Sequence, residues 1–150
     1  MNELQALYQQ MIIDHGRTPR NFGALPTCSH SQKGVNPLCG DALEITLLIN
    51  DQDVVEDIKF TGEGCAISMA SASMMTELVK GKTIEDAMIL FDDFQALVVA
   101  QNADDAVKNR LGKAAILEGV KHFPSRIKCA TLSWHTLKNA CQNQGEATTE

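Results

Sequence analysis

Apolar residues recur at helical spacing over residues 2–15, where Leu4, Leu7, Tyr8, Met11 and Ile12 share one face. Asn2 stands where an N-cap belongs, and Gly16 stands where such a helix stops. The stretch 16–37 is punctuated by Gly16, Pro19, Gly23, Pro26, Gly34 and Pro37 and is expected to be one long loop. A clean two-residue period follows over 42–50, with Leu43, Ile45, Leu47 and Ile49 on one side, which predicts a strand with one buried face. Turn residues at Asn50–Asp53 let Val54–Thr61 return as the second arm of a hairpin.

Gly62-Glu-Gly64 breaks this pattern, and helical spacing resumes with Ile67, Ser71, Met74 and Leu78, stopping at Gly81. The small residues of 66–73 predict close packing against a neighbour. Thr83 can cap a short helix faced by Ile84, Ala87, Met88 and Phe91. Residues 95–121 read as helical in pieces, and Pro124 can open a last helix along Ile127, Ala130, Trp134, Leu137 and Cys141. Strands early and helices late predict an α+β fold, as one domain over 1–150 with a polar, frayed tail after Gln142.

A chain of 150 residues can bury a core without disulfide staples. Its formal net charge of −6 argues against a general nucleic-acid binder, which must neutralise phosphates with basic side chains. Its apolar runs are too short or too broken to span a bilayer, so no membrane partner is expected. The opening Met1-Asn-Glu-Leu-Gln-Ala-Leu-Tyr8 lacks the basic flank and apolar core of a secretory signal, which predicts a cytoplasmic protein with reduced thiols. Charge is segregated: six acids and no Lys or Arg lie between Glu85 and Asp105, and six basic residues against Glu118 lie between Lys108 and Lys128. Either these are two solvated helix faces, or the basic stretch, which leads into Cys129, faces a partner or an anion.

Five cysteines, an odd number, must then be core filler, metal ligands or reactive thiols. Cys39 sits in Asn36-Pro-Leu-Cys-Gly-Asp41, where Gly40 permits a tight turn that can aim a thiolate and the Asp41 carboxylate at one point. Cys65 precedes a helix, whose unpaired N–H groups favour a thiolate. Cys129 lies near the first turn of another helix, just after Arg126 and Lys128, whose positive charge is expected to depress its pKa. At about 100° per residue, Cys141 falls in line with Ile127 and Trp134 as a core residue, while Cys129 falls roughly opposite. Cys28 and His30 form a Cys-x-His pair, but nothing around them completes a site.

Three thiolates and a carboxylate could make a tetrahedral zinc site, or the cysteines could be independent and buried; spacing alone leaves both open. No H-E-x-x-H, zinc-deaminase, P-loop, G-x-G-x-x-G or G-x-S-x-G pattern occurs.

Three segments carry a resemblance. Asn36-Pro-Leu-Cys-Gly-Asp41, Gly62-Glu-Gly-Cys-Ala-Ile-Ser-Met-Ala-Ser-Ala-Ser73 and Phe123-Pro-Ser-Arg-Ile-Lys-Cys-Ala-Thr-Leu-Ser-Trp134 resemble the SufU branch of the IscU-like (NifU N-terminal) iron–sulfur assembly proteins. The opening Tyr8…Ile13-Asp-His15…Pro19-Arg-Asn21 is similar to the same family. The resemblance implies a small antiparallel sheet packed by helices, with Cys39, Asp41, Cys65 and Cys129 at the family's metal-site positions. Scaffolds of the IscU type carry His immediately before the third Cys, where this chain has Lys128. They also carry Leu-Pro-Pro-Val-Lys where this chain has Phe123-Pro-Ser-Arg-Ile, and their spacer is shorter than residues 66–128.

These departures favour a zinc-bound sulfurtransferase that works as the partner of a PLP-dependent, SufS-type cysteine desulfurase. The resemblance then implies that Cys39 accepts persulfide sulfur for a downstream cluster-assembly scaffold. Asp41, Cys65 and Cys129 retain the zinc, and Arg126 orients the site, stabilises the persulfide anion or makes a surface salt bridge. The alternative is a scaffold that builds a [2Fe–2S] cluster, or holds iron, on the same ligands. A purely structural zinc adaptor is a third reading.

Overall fold

The structure, a computed structural model, describes residues 3–143, 145 and 147–148. Asn2, the expected cap, and the side chains of Leu4, Leu7 and Tyr8 lie outside the described residues. Helix α1 (Glu3–Arg17) is followed by strands β1 (His30–Asn36), β2 (Asp41–Ile49) and β3 (Val55–Glu63). Helices α2 (Ala66–Val79), α3 (Ile84–Val98) and α4 (Asp105–Leu111), a 3-10 segment (Gly112–His122) and α5 (Pro124–Gln142) come next.

The expected hairpin is β2–β3, antiparallel from Ala42 opposite Glu63 to Ile49 opposite Val55. Its turn is closed by Asn50, whose side-chain oxygen accepts the N–H groups of Gln52 and Val54 at 2.9 and 3.0 Å. Leu43, Ile45 and Leu47 are buried as their alternation requires, with Ile58 and Phe60 from β3 beside them. Helices α2 and α5 lie close to each other and to the sheet. In the same core Trp134 stacks on Phe94, ring centroids 4.7 Å apart.

The expected loop 16–37 is corrected at both ends: Gly16 and Arg17 close α1, and His30–Asn36 is a strand. His30–Asn36 pairs antiparallel with β2 along its whole length, His30 opposite Leu47 and Asn36 opposite Asp41. This strand carries no apolar alternation because its buried positions are Gly34 and Asn36. A side chain at Gly34 would overlap Thr136 and crowd Leu132, so glycine is what lets β1 lie against α5. Within the tail expected to fray, Ala147–Thr148 form β4, a short parallel strand beside β1, with Ala147 buried, and residues 144, 146, 149 and 150 lie outside the described residues. The sheet order is β3-β2-β1-β4.

Thr83 caps α3 as expected, accepting the Asp86 N–H at 3.1 Å. The helix runs past Phe91 to Val98 because Phe94, Leu97 and Val98 continue its buried face. Three of the six basic residues are paired, one of them with the acidic stretch. Arg110 clamps Asp93 with two bonds of 2.8 Å, and Glu118 takes Lys108 at 3.2 Å and Lys121 at 3.6 Å. Among the described residues Lys113, Arg126 and Lys128 make no ion pair.

The opening motif docks α1 and its loop onto α2. Ser73 Oγ accepts the Arg20 N–H at 2.8 Å and shares a hydrogen bond with His15 Nδ1, also at 2.8 Å. Asn21 donates to Thr76 Oγ1 at 3.1 Å. Burial lowers the His15 pKa below the ordinary 6.5. Burial lowers His135 likewise. The unfolded chain therefore binds protons that the folded chain refuses, and stability falls as pH drops through the unfolded value. The thermal midpoint is expected to decline from about pH 7.5 to about pH 5, and less steeply in a His15→Gln variant. Identical declines in the two proteins would show that His15 accepts its proton without cost to the fold.

Candidate metal centre

The centre lies where the start of β2, the start of α2 and the first turns of α5 meet. Asn36 and Asp41 are the closing pair of the β1–β2 hairpin, and the four residues between them form its loop. Cys39 N–H reaches back to the Asn36 carbonyl at 3.3 Å. Gly40 holds φ +70°, the left-handed conformation that turns the chain from Cys39 into Asp41. Cys39 thus sits on a tight loop, flanked by exposed Leu38 and Gly40.

Asp41 is buried with both carboxylate oxygens engaged. Oδ1 accepts the Cys65 N–H at 2.8 Å, and Oδ2 accepts Asn36 Nδ2–H at 3.0 Å. Gly64 makes the first contact possible, since a Cβ there would overlap the carboxylate. Cys65 is the N-cap of α2, and its sulfur accepts the Ser68 N–H at 3.4 Å. One of the free N–H groups at that helix start thus reaches the Cys65 sulfur. Cys129 is wholly buried, one turn beyond Pro124 in α5.

Cys39, Asp41 and Cys129 each bring one ligand atom to within 4.8 Å of the other two. The Cys39 and Cys129 sulfurs are 3.2 Å apart. Cys65 is adjacent through its backbone bond to Asp41 and its thiol beside Cys129, but its sulfur stands outside that mutual 4.8 Å group. The sulfur is turned toward the α2 cap.

The expected depression of the Cys129 pKa is reversed. Burial, and then the neighbouring Cys39 and Cys65 thiols, push it far above the ordinary thiol value. The flanking cations do not outweigh removal from water and the crowding of acidic groups. Arg126 is exposed on the same turn, and its guanidinium is raised, first through hydrogen bonding to Cys129 and then by the charge of Cys65. It thus faces the thiols, and the salt-bridge reading finds no partner among the described residues. Lys128 is half-buried.

The remaining cysteines are accounted for. Cys141 packs against the core, and burial raises its thiol to about 11. Cys28 is exposed, and among the described residues no metal-binding cluster includes it. Sequence reasoning missed Asn36 and Gly64. The usable signal for Asn36 was its place five residues before Asp41 across a turn, which a hairpin converts into cross-strand pairing.

The family described as NifU-like N terminal domain matches residues 7–130. The chain belongs to this family. It is 47% identical over 143 residues to the zinc-dependent sulfurtransferase SufU of Bacillus subtilis (strain 168), covering 95% of each chain. It is 42% identical over 147 residues to the iron–sulfur cluster assembly scaffold protein IscU of Streptococcus pyogenes serotype M1, covering 98% of this chain and 90% of that one. A crystal structure of a candidate iron–sulfur cluster assembly scaffold protein for the SUF system, from Fervidobacterium islandicum AW-1, superposes with a TM-score of 0.83 at 31% identity. It covers 91% of this chain and 98% of that one. The α+β architecture is that of the family.

Proposed function

We propose that this chain serves iron–sulfur cluster assembly as a zinc-dependent sulfur acceptor. In this reading it takes persulfide sulfur from a cysteine desulfurase on Cys39 and passes it onward. The observation that carries it is that the three neighbouring thiols are mounted differently. Cys129 is fixed in α5 and Cys65 in the cap of α2, while Cys39 rides on the Pro37–Gly40 turn, with open space around Gly40. Cys39 alone among them can move without unwinding a helix or unzipping a strand. The similarity to SufU and IscU proteins supports the assignment to cluster assembly.

The donor set fits zinc, which takes thiolate sulfur and carboxylate oxygen. Cys39, Asp41 and Cys129 would hold the ion, with Cys65 as the fourth donor. What zinc supplies when bound is a set of deprotonated thiols, shielded at rest. The chain's own residues do the rest. Cys39 thiolate attacks the outer sulfur of the partner's persulfide. A sulfur–sulfur bond to Cys39 forms, the partner's sulfur–sulfur bond breaks, and the partner's cysteine leaves as a thiolate, with no net oxidation. Arg126 faces the resulting persulfide anion.

The desulfurase is proposed to be SufS-type, with a cluster-assembly scaffold downstream and the cytoplasm as the compartment that keeps such thiols reduced. No helix among the described residues is long and apolar enough to cross a membrane. The IscU relatives favour a second reading, a [2Fe–2S] scaffold on the same residues. Adding the protein to a cysteine desulfurase and cysteine separates the two. Sulfur transfer predicts a colourless, zinc-containing protein that accelerates alanine formation and gains one sulfur atom. A brown protein with visible absorption and no acceleration would support the scaffold instead.

A further inference from the structure

Asn36 is completely buried at the end of β1, yet it is polar and belongs to no helix cap or ladder requirement that its side chain could serve. Its amide instead divides its two protons between two residues of the centre. One N–H goes to Asp41 Oδ2 at 3.0 Å and the other to Cys129 Sγ at 3.5 Å. Its backbone carbonyl takes the Cys39 N–H. One residue therefore touches Asp41 on β2, Cys129 on α5 and Cys39 on the turn, three elements that share no other side-chain bridge of this kind among the described residues.

The orientation of the amide is determined by chemistry. Reversing it would set its carbonyl oxygen against the Asp41 carboxylate, which can only accept. The cost of the observed orientation is visible: Asn36 Oδ1 is buried with no hydrogen-bond partner. An unsatisfied buried acceptor opposes folding. An apolar residue of similar volume would avoid that penalty, so packing alone does not account for asparagine here.

We propose that Asn36 is the positioning residue of this centre, its amide holding the Asp41 carboxylate and the Cys129 sulfur at the separation a shared metal ion requires. The inference rests on the zinc reading above and concerns metal retention, not sulfur transfer. Asn36 fixes two of the donors that stay when Cys39 swings away, Asp41 and Cys129. Outer hydrogen-bond partners of metal ligands typically contribute about 10–100-fold in affinity.

The test is zinc affinity by chelator competition on the full chain, comparing the unaltered protein with Asn36→Ala and Asn36→Leu. Both variants are expected to bind zinc about 10–100-fold more weakly, with altered ligand-field bands in cobalt-loaded protein. Leu, which refills the space, is expected to recover thermal stability relative to Ala but not affinity. Wild-type affinity in Asn36→Leu would overturn the proposal, since filling volume would then suffice. Should the variants fail to fold, the unaltered protein loaded with NMR-active cadmium decides the matter. A scalar correlation between the Asn36 side-chain amide proton and the metal, through the Cys129 sulfur, is expected, and its absence overturns the proposal. Failure of the unaltered protein to bind zinc would instead defeat the zinc reading, and this inference with it.

Discussion

Cys39→Ala protein is expected to lose acceleration of a cysteine desulfurase entirely and to gain no sulfur atom, while still retaining zinc with reduced affinity. Cys39 is the one loop-borne thiol of the three, and without its sulfur there is no nucleophile to receive the outer persulfide atom. Asp41, Cys65 and Cys129 remain anchored in β2, the α2 cap and α5, so the ion keeps a partial set of donors. Cys28→Ala and Cys141→Ala supply the controls. The first thiol is exposed and apart from the cluster, and the second is packed in the core, so neither change is expected to alter desulfurase turnover. Persulfide found on another cysteine of the Cys39→Ala protein, with acceleration intact, would move the acceptor role elsewhere.

Gly64→Ala is expected to weaken zinc binding at least as strongly as loss of an outer hydrogen-bond partner, by about 100-fold. The added Cβ would overlap the Asp41 carboxylate oxygen and press on its carbon, and the carboxylate is the part that must yield. In yielding it loses the Cys65 N–H, its 2.8 Å partner. A buried carboxylate deprived of a donor costs on the order of 1–3 kcal/mol or more, so the thermal midpoint should fall as well. Chelator competition and thermal unfolding of the zinc-free protein separate the effects. An affinity equal to that of the unaltered protein would mean that the Asp41–Cys65 contact is not part of the metal-holding arrangement.

What sequence alone could disclose differed from element to element. The β2–β3 hairpin, α2, the capped start of α3 and the proline start of α5 were legible because apolar period and punctuation coincide there with burial. β1 was not, because its inward positions are a glycine that admits Thr136 and an asparagine that serves the centre. Its pairing is imposed from outside, by β2 and α5. β4 was hidden for a similar reason: two residues of a polar tail are held by an edge, not by a pattern of their own.

Within the centre, Cys39, Asp41 and Cys129 were legible as thiols and an acid at segment ends, and they converge. Cys65 was legible as a helix-start residue, but its sulfur serves the α2 cap and stands outside the mutual group. The Cys129 pKa was misjudged because sequence displays the neighbouring cations and conceals burial, and burial dominates. Asn36 and Gly64 escaped notice because neither is a ligand type, and both act through placement.

X-ray absorption at the zinc edge of the freshly purified protein tests the shared centre most directly. The expected shell is three sulfurs at about 2.3 Å and one oxygen at about 2.0–2.2 Å, with one sulfur lost in Cys39→Ala. A shell of four sulfurs, of one sulfur or none, or one unchanged by Cys39→Ala, would contradict a centre built from Cys39, Asp41, Cys65 and Cys129.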